Sequence, residues 1–294
     1  MKRITPFIII SVFLFGIITA QNLPQNDTHS FRELIVRSDA GDARAMFQLA
    51  RIYDTGYDSL SVDSAKSTSL YLKSANKGYA PAQNYIGFRY YKGEYLKQNI
   101  DSALYWIRLA AEAGDITAAA NLGYLYVDSP LMEHNEDEAA KWLEIAAEGG
   151  VGGAEQKLIE IMGSKWRELP SDSALKTGIR YYSSKAKIAG AILIEIASEY
   201  DHPKALALMG DAYSKGMGTV YDYQKSVDYF FLAAIKGDPS AQFIVAELLD
   251  FFPDTSPSFF ITEEQKDPRF WYEKAAQGNV RDSETAFSRL LTYP

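Results

Sequence analysis

Residues 82–93 read AQNYIGFRYYKG and residues 103–114 read ALYWIRLAAEAG. In the first stretch Ala82, Ile86 and Tyr90 fall at i, i+4 and i+8, one face of an α-helix. Gly93 ends the segment where a left-handed C-terminal cap is expected. Gly87 lies inside the helical pattern, where a glycine costs about 1 kcal/mol relative to alanine. Its presence there points to a neighbouring helix so near that a methyl group hardly fits. The second stretch is preceded by Asn99, a residue suited to capping a helix start. Trp106 and the pair Ala110-Ala111 follow, one large side chain and two small ones that let two helices interlock. Gly114 then closes the turn.

The same two-helix pattern recurs along the chain. Its opening appears as Gly41-Asp-Ala-Arg-Ala45, Gly78-Tyr-Ala-Pro-Ala82, Gly114-Asp-Ile-Thr-Ala118 and Gly150-Val-Gly-Gly-Ala154. It returns as Asp201-His-Pro-Lys-Ala205 and Gly237-Asp-Pro-Ser-Ala241, and a last copy opens at Gly278. The spacings are 37, 36, 36, 51, 36 and 41 residues. First helices carry Leu49-Ala50-Tyr53, Leu122-Gly123-Tyr126 and Met209-Gly210-Tyr213. Gly56 and Gly216 stand where Gly93 does. Second helices open at Asp63, Asn99, Asn135 and Asp222 and then present Leu70, Trp106, Trp142 and Tyr229. One helix pair cannot bury its apolar face alone, so the period predicts an all-α fold, an α-solenoid of stacked antiparallel helix pairs. On this reading the repeated Tyr, Trp and Ala residues are core.

These residues resemble the Sel-one-like repeat family, a relative of the tetratricopeptide repeat. Its pattern is A-x-x-x-L-G-x-x-Y-x-x-G, a loop, then A-x-x-W/Y-x-x-x-A-A-x-x-G. Ala82, Ile86, Gly87, Tyr90 and Gly93 match the first half, and Ala103, Trp106, Ala110, Ala111 and Gly114 the second. The resemblance covers roughly residues 41 to 292. It implies a scaffold for a protein partner, with first helices lining a concave surface, and does not specify the partner.

The chain departs from the pattern in three places. The copy from Gly150 to Tyr200 is degenerate. A 36-residue phase puts its second helix at Ser171 to Lys185, and the apolar run Ala189 to Ala197 is then an extra helix. The sixth copy has Ala246 and Leu249 for Gly and Tyr and a long insertion, Phe252 to Asp267, containing Phe259-Phe260. The last copy keeps its first helix, Asn279 to Thr292, as a polar cap. At the other end Phe31 to Ser38 resembles a second helix without its first. The expected organisation is a signal peptide at 1–20, a polar tail at 21–30, and a solenoid at 31–294 of about six helix pairs with capping helices.

Lys2-Arg3, the apolar run Phe7 to Ala20 and the small residues Thr19-Ala20 have the layout of a secretory signal peptide. The apolar run has 14 residues, fewer than the roughly 20 that a spanning helix wants. Cleavage after Ala20 removes two cations and takes the formal charge from -8 to -10. The chain has no cysteine, so neither disulfides nor a thiol-linked lipid anchor are expected, and stability must come from packing. The expected location is periplasmic or extracellular, with no permanent membrane anchor. The acidic balance argues against nucleic acid, whose backbone needs clustered Lys and Arg.

No catalytic constellation emerges, and no enzyme activity, cofactor or metal is expected. His29, His134 and His202 are scattered, without the H-E-x-x-H spacing of a zinc site. Ser173-Ala-Leu-Lys176-Thr177-Gly178 holds both S-x-x-K and K-T-G, but the two motifs overlap where penicillin-binding enzymes need them apart. Gly149-Gly150-Val-Gly152-Gly153 lacks the G-K-S/T ending of a phosphate loop and falls at an inter-repeat turn.

The remaining surface is a matter of helical phase. With Ala45, Leu49 and Tyr53 facing in, Arg44, Gln48 and Arg51 face out. The matching sets are Pro81, Tyr85 and Phe88, then Thr117, Asn121 and Tyr124, and later Leu208 with Asp211 and Ile244 with Glu247. Outward aromatics favour a binding patch, so the expected partner site is Tyr85, Phe88 and Tyr124 with Arg51 and Arg89 supplying hydrogen bonds to a carboxylate. The alternative occupant is cell-wall polymer or carbohydrate, held by surface Tyr and Trp.

Overall fold

The computed structural model describes residues 31–56 and 61–280. The expected signal peptide, the polar tail and all but the first two residues of the expected closing helix lie outside the described residues. Among the described residues the chain is α-helical, with no strand: α1 (Phe31–Asp39), α2 (Ala43–Thr55), α3 (Ser64–Asn76), α4 (Ala80–Lys92), α5 (Ile100–Glu112), α6 (Ile116–Asp128), α7 (Glu136–Gly149), α8 (Ala154–Trp166), α9 (Ser171–Ser183), α10 (Lys187–Ser198), α11 (Pro203–Lys215), α12 (Tyr223–Ile235), α13 (Pro239–Phe251) and α14 (Pro268–Gln277). The architecture is the expected α-solenoid of consecutive helix pairs. The chain divides into two compact units, Met1–Ala146 and Ala147–Pro294.

In the N-terminal unit α1 stands alone, and its Phe31 and Ile35 pack against the core of the first pair. The pairs α2–α3, α4–α5 and α6–α7 follow. Each second helix starts where its capping residue predicts: Asp63, Asn99 and Asn135 accept from the backbone N–H of Lys66, Ser102 and Glu138. Asp42 and Asp115 do the same for α2 and α6. Gly93 adopts the left-handed conformation that lets α4 end, whereas Gly56, also at positive φ, continues into an extended ψ of 154°.

Gly87 meets the expectation of a close crossing. A Cβ there would overlap the Ile107 side chain and lie 2.9 Å from the Ala103 carbonyl oxygen. Gly123 meets Leu143 in the same way. Ala45, Leu49 and Tyr53 are buried, as the phase requires. Trp142 is buried, but Trp106 is half-buried, and the next residue, Ile107, takes the deepest place. Facing a glycine, that position can approach the partner backbone more nearly than the indole can.

The C-terminal unit corrects the phase of the degenerate copy. Helices form at the expected places, but their roles differ. A Cβ at Gly178 would lie 3.1 Å from the Gly190 carbonyl oxygen and 3.0 Å from the Ile194 nitrogen. That is the relation of Gly87 to Ala103 and Ile107. Thus α9 is the first helix of a pair and α10 its second, not an extra. The motif is legible once the frame shifts: Thr177-Gly178-x-x-Tyr181, then Gly190-x-x-Leu193-x-x-x-Ala197-Ser198. Asp201, with φ of 58°, stands where Gly114 stands at 91°. The additional helix is α8. Its Glu155 accepts from the Ala189 N–H at 2.9 Å, near the start of α10.

Two further pairs, α11–α12 and α13–α14, complete this unit. Gly210 lies against the Phe230 ring, and Asp222 caps α12. Between α13 and α14 the insertion is tied down: Ser258 donates from its N–H and hydroxyl to the Asp228 carboxylate at 2.6 and 2.5 Å. Ile261 is buried and Phe259 packs on the core, while Phe260 is 90% exposed.

Candidate interaction face

Three consecutive first helices of the N-terminal unit place Arg51, Phe88 and Tyr124 at one register, six residues after Ala45, Ala82 and Ala118. All three side chains are half-buried, with part of each on the surface. Lys92 reaches over the Phe88 ring, 5.4 Å from its centroid. Asn121 donates to the Asn84 side chain at 2.9 Å and so joins neighbouring first helices. An aromatic pair with a guanidinium on one side can bury apolar area and grip a carboxylate.

The other two expected residues are placed differently. Arg89 is 3% exposed and is not available at the surface. Its guanidinium forms an ion pair with Asp54, donates to the Thr68 hydroxyl, and lies 5.2 and 5.0 Å from the ring centroids of Tyr71 and Tyr85. The helical phase explains this: one residue past the outward Phe88, the side chain turns between α4 and the preceding pair. Tyr85 donates its hydroxyl to Asp54 and packs on Tyr71 with ring centroids 4.1 Å apart. Burial and the bond to Asp54 raise the Tyr85 hydroxyl above its ordinary pKa, and burial raises Tyr71 further. Both stay neutral donors at physiological pH. Tyr85 and Arg89 therefore build the wall behind the face.

Asp54, Thr68 and Tyr71, which complete that wall, carried no sequence signal of their own. Asp54 occupies the register of Tyr91 and Val127, and its value shows only against the arginine that approaches from the next repeat. A second surface also escaped the sequence reading: Tyr223, Phe251 and Phe252, all exposed in the C-terminal unit.

The residues that suggested catalysis have structural duties or none. Ser173 and Lys176 are exposed on α9, and Gly178 makes the α9–α10 crossing. Gly150 and Gly153 shape the turn between α7 and α8, both at φ of 81°. His202 pairs with Asp172 at 3.4 Å and His134 lies 3.8 Å from Glu136. Among the described residues no group of three or more His, Cys, Asp or Glu could hold a metal ion. No described helix is long and apolar enough to cross a membrane.

Stacked helix pairs with a register-matched surface row define an α-solenoid repeat protein of the kind that binds other macromolecules. The chain belongs to the Sel1 repeat family, whose model matches residues 43–79, 80–115, 116–151, 203–238 and 269–280, more than half of the chain. Between its third and fourth matches the family model passes over residues 152–202, where α8, α9 and α10 lie. Proteins of this family generally mediate protein–protein interactions and are generally non-catalytic.

No curated protein matches the chain. Among solved structures it is similar to a protective antigen of uropathogenic Escherichia coli strains displaying an SLR fold, at 23% identity and a TM-score of 0.42. That match covers 89% of this chain but 59% of the other. It is similar to a Sel1 repeat protein from Oxalobacter formigenes at 23% identity and a TM-score of 0.41, over 83% of this chain and 89% of that one. An immunity protein from Pseudomonas aeruginosa aligns at 19% identity and a TM-score of 0.30, over 88% and 78%.

Proposed function

We propose that this chain is an exported protein-binding scaffold whose partner docks on the first-helix face of the N-terminal unit, across Arg51, Phe88 and Tyr124. One observation carries the reading. Three successive repeats repeat the same half-exposed register, and the residues there are two rings and a guanidinium. Such side chains dominate interfaces because they bury large area at small rotamer cost. The Tyr85–Asp54–Arg89 cluster behind them fixes the spacing of α2 and α4, so the face is preformed. The apolar run at Phe7 to Ala20 supports export.

The test is co-purification of the partner from envelope extract with the wild-type chain and with a Phe88→Ala/Tyr124→Ala variant. A true anchor costs about 2 kcal/mol per truncation, roughly 30-fold in affinity. The expected outcome is loss of the partner with the melting temperature retained. Undiminished recovery by the folded variant would place the site elsewhere.

A further inference from the structure

In the C-terminal unit α13 ends unlike α4 and α11. Where α4 and α11 close with Lys92-Gly93 and Lys215-Gly216, α13 closes with Phe251-Phe252. Gly93 and Gly216 turn back through the left-handed region, but Phe252 leaves the helix at φ of -135° and ψ of 76°. The chain then runs outward as the insertion instead of returning at once to a second helix. Both rings are left on the surface, Phe251 71% and Phe252 61% exposed. They border an open groove of 520 Å³, which Tyr223, Gln224 and Val227 of α12 and Pro253 to Ser256 of the insertion also line.

Hydrogen bonds at the groove hold the insertion against α12. Gln224 donates to the Ser256 carbonyl at 3.2 Å and to Asp228 at 3.1 Å, and Asp228 in turn holds Ser258. Thr255 donates its N–H to the Phe252 carbonyl at 2.9 Å and closes the turn beyond the rings. These groups are engaged in keeping the insertion on α12. What the groove offers a ligand is therefore the exposed rings of Tyr223, Phe251 and Phe252 and, among the described residues, one charged group, the Asp254 carboxylate. Among the described residues no lysine, arginine or histidine lines it. Just before the rings, α13 carries two more exposed carboxylates, Glu247 and Asp250. Burial and the Asp250 charge push the Glu247 carboxyl above its ordinary value.

We propose that this groove binds a segment of another protein that carries an aromatic or aliphatic anchor beside an arginine or lysine. The anchor covers Phe251 and Phe252, and the cation meets Asp254 and the ring faces of Tyr223 and Phe252. Apolar area supplies affinity. The charge supplies direction, since a guanidinium gains both from a carboxylate and from an aromatic face. A sugar needs a fork of polar partners around its ring platform, and here the Gln224 amide nitrogen is already committed to Ser256 and Asp228. This surface shares no residue with the Arg51–Phe88–Tyr124 face, and neither reading depends on the other.

The experiment is selection of random 12-residue displayed peptides on the full chain, with affinities then measured for the selected peptides. Expected are peptides rich in Trp, Phe or Leu together with Arg or Lys. Phe251→Ser/Phe252→Ser should weaken them about tenfold or more, and so should Asp254→Lys. Phe88→Ala/Tyr124→Ala should leave them unchanged, which separates this surface from the first-helix face. The melting temperature of the two groove variants should match wild type, because Phe251, Phe252 and Asp254 are exposed. Enrichment of acidic or purely polar peptides, or affinities indifferent to the groove variants, would overturn the proposal. So would a wild-type dimer that Phe251→Ser/Phe252→Ser makes monomeric, since a second copy would then own the groove. Retention on insoluble cell-wall polymer that the same variant abolishes would overturn it too.

Discussion

Gly87 has no side chain, and that sets how near α4 lies to α5. Helix propensity alone favours alanine there by about 1 kcal/mol. The added methyl would meet Ile107 and the Ala103 carbonyl at 2.9 Å, so the clash should win. Gly87→Ala is expected to destabilise by about 1–3 kcal/mol in chemical denaturation. Gly163, in α8, has nothing within 4 Å of its would-be Cβ. Gly163→Ala should therefore be neutral or stabilise by up to about 1 kcal/mol, and the pair of results separates packing from propensity. Arg89 is the other residue with a sharp expectation. Arg89→Ala strands Asp54 beside buried rings and should cost roughly 3–5 kcal/mol. Adding Asp54→Leu should recover part of that loss. An additive double variant would mean that the ion pair does not couple the two repeats.

At the scale of elements, the sharpest claim is that α9 and α10 form one pair. Gly178→Ala and Gly190→Ala should each destabilise, and their effects should couple by more than about 0.5 kcal/mol, because each glycine faces the other's backbone. Helix starts make a pH-dependent prediction. The Ala45 N–H and the Arg37 side chain hold the Asp42 carboxyl below its ordinary value of 3.8. Its stabilisation of α2 is then complete above that value and lost as pH falls through the lowered one. The stability gap between wild type and Asp42→Asn should narrow on acidification and stay constant near neutrality. Most element positions could be read from the sequence because caps, glycines and small pairs recur in phase. The degenerate copy was misphased because Ser171–Ser183 fits a second helix by spacing alone. Its Gly178-x-x-Tyr181 says otherwise only when Gly190 is recognised as standing for Ala103. The aromatic groove was not legible, since nothing in Phe251-Phe252 shows that both rings stay exposed at the end of the helix.

For the whole molecule, the solenoid was legible in the sequence and the proposed face only in part. Phe88, Tyr124 and Arg51 follow from helical phase, whereas Arg89 and Tyr85 are drawn inward by Asp54, a contact between repeats that no single helix encodes. Export makes an independent prediction: protein from the soluble envelope fraction should begin after Ala20, and an intact Met1 found there by mass spectrometry would refute it. Binding itself is tested most directly by position-specific photo-crosslinking in living cells. A benzoyl-phenylalanine placed at Tyr124 should give one discrete protein adduct, and the same group at Tyr105, exposed on the second helix α5, should give none. An adduct at Tyr105 with silence at Tyr124 would contradict the first-helix face as the place where this chain meets its partner.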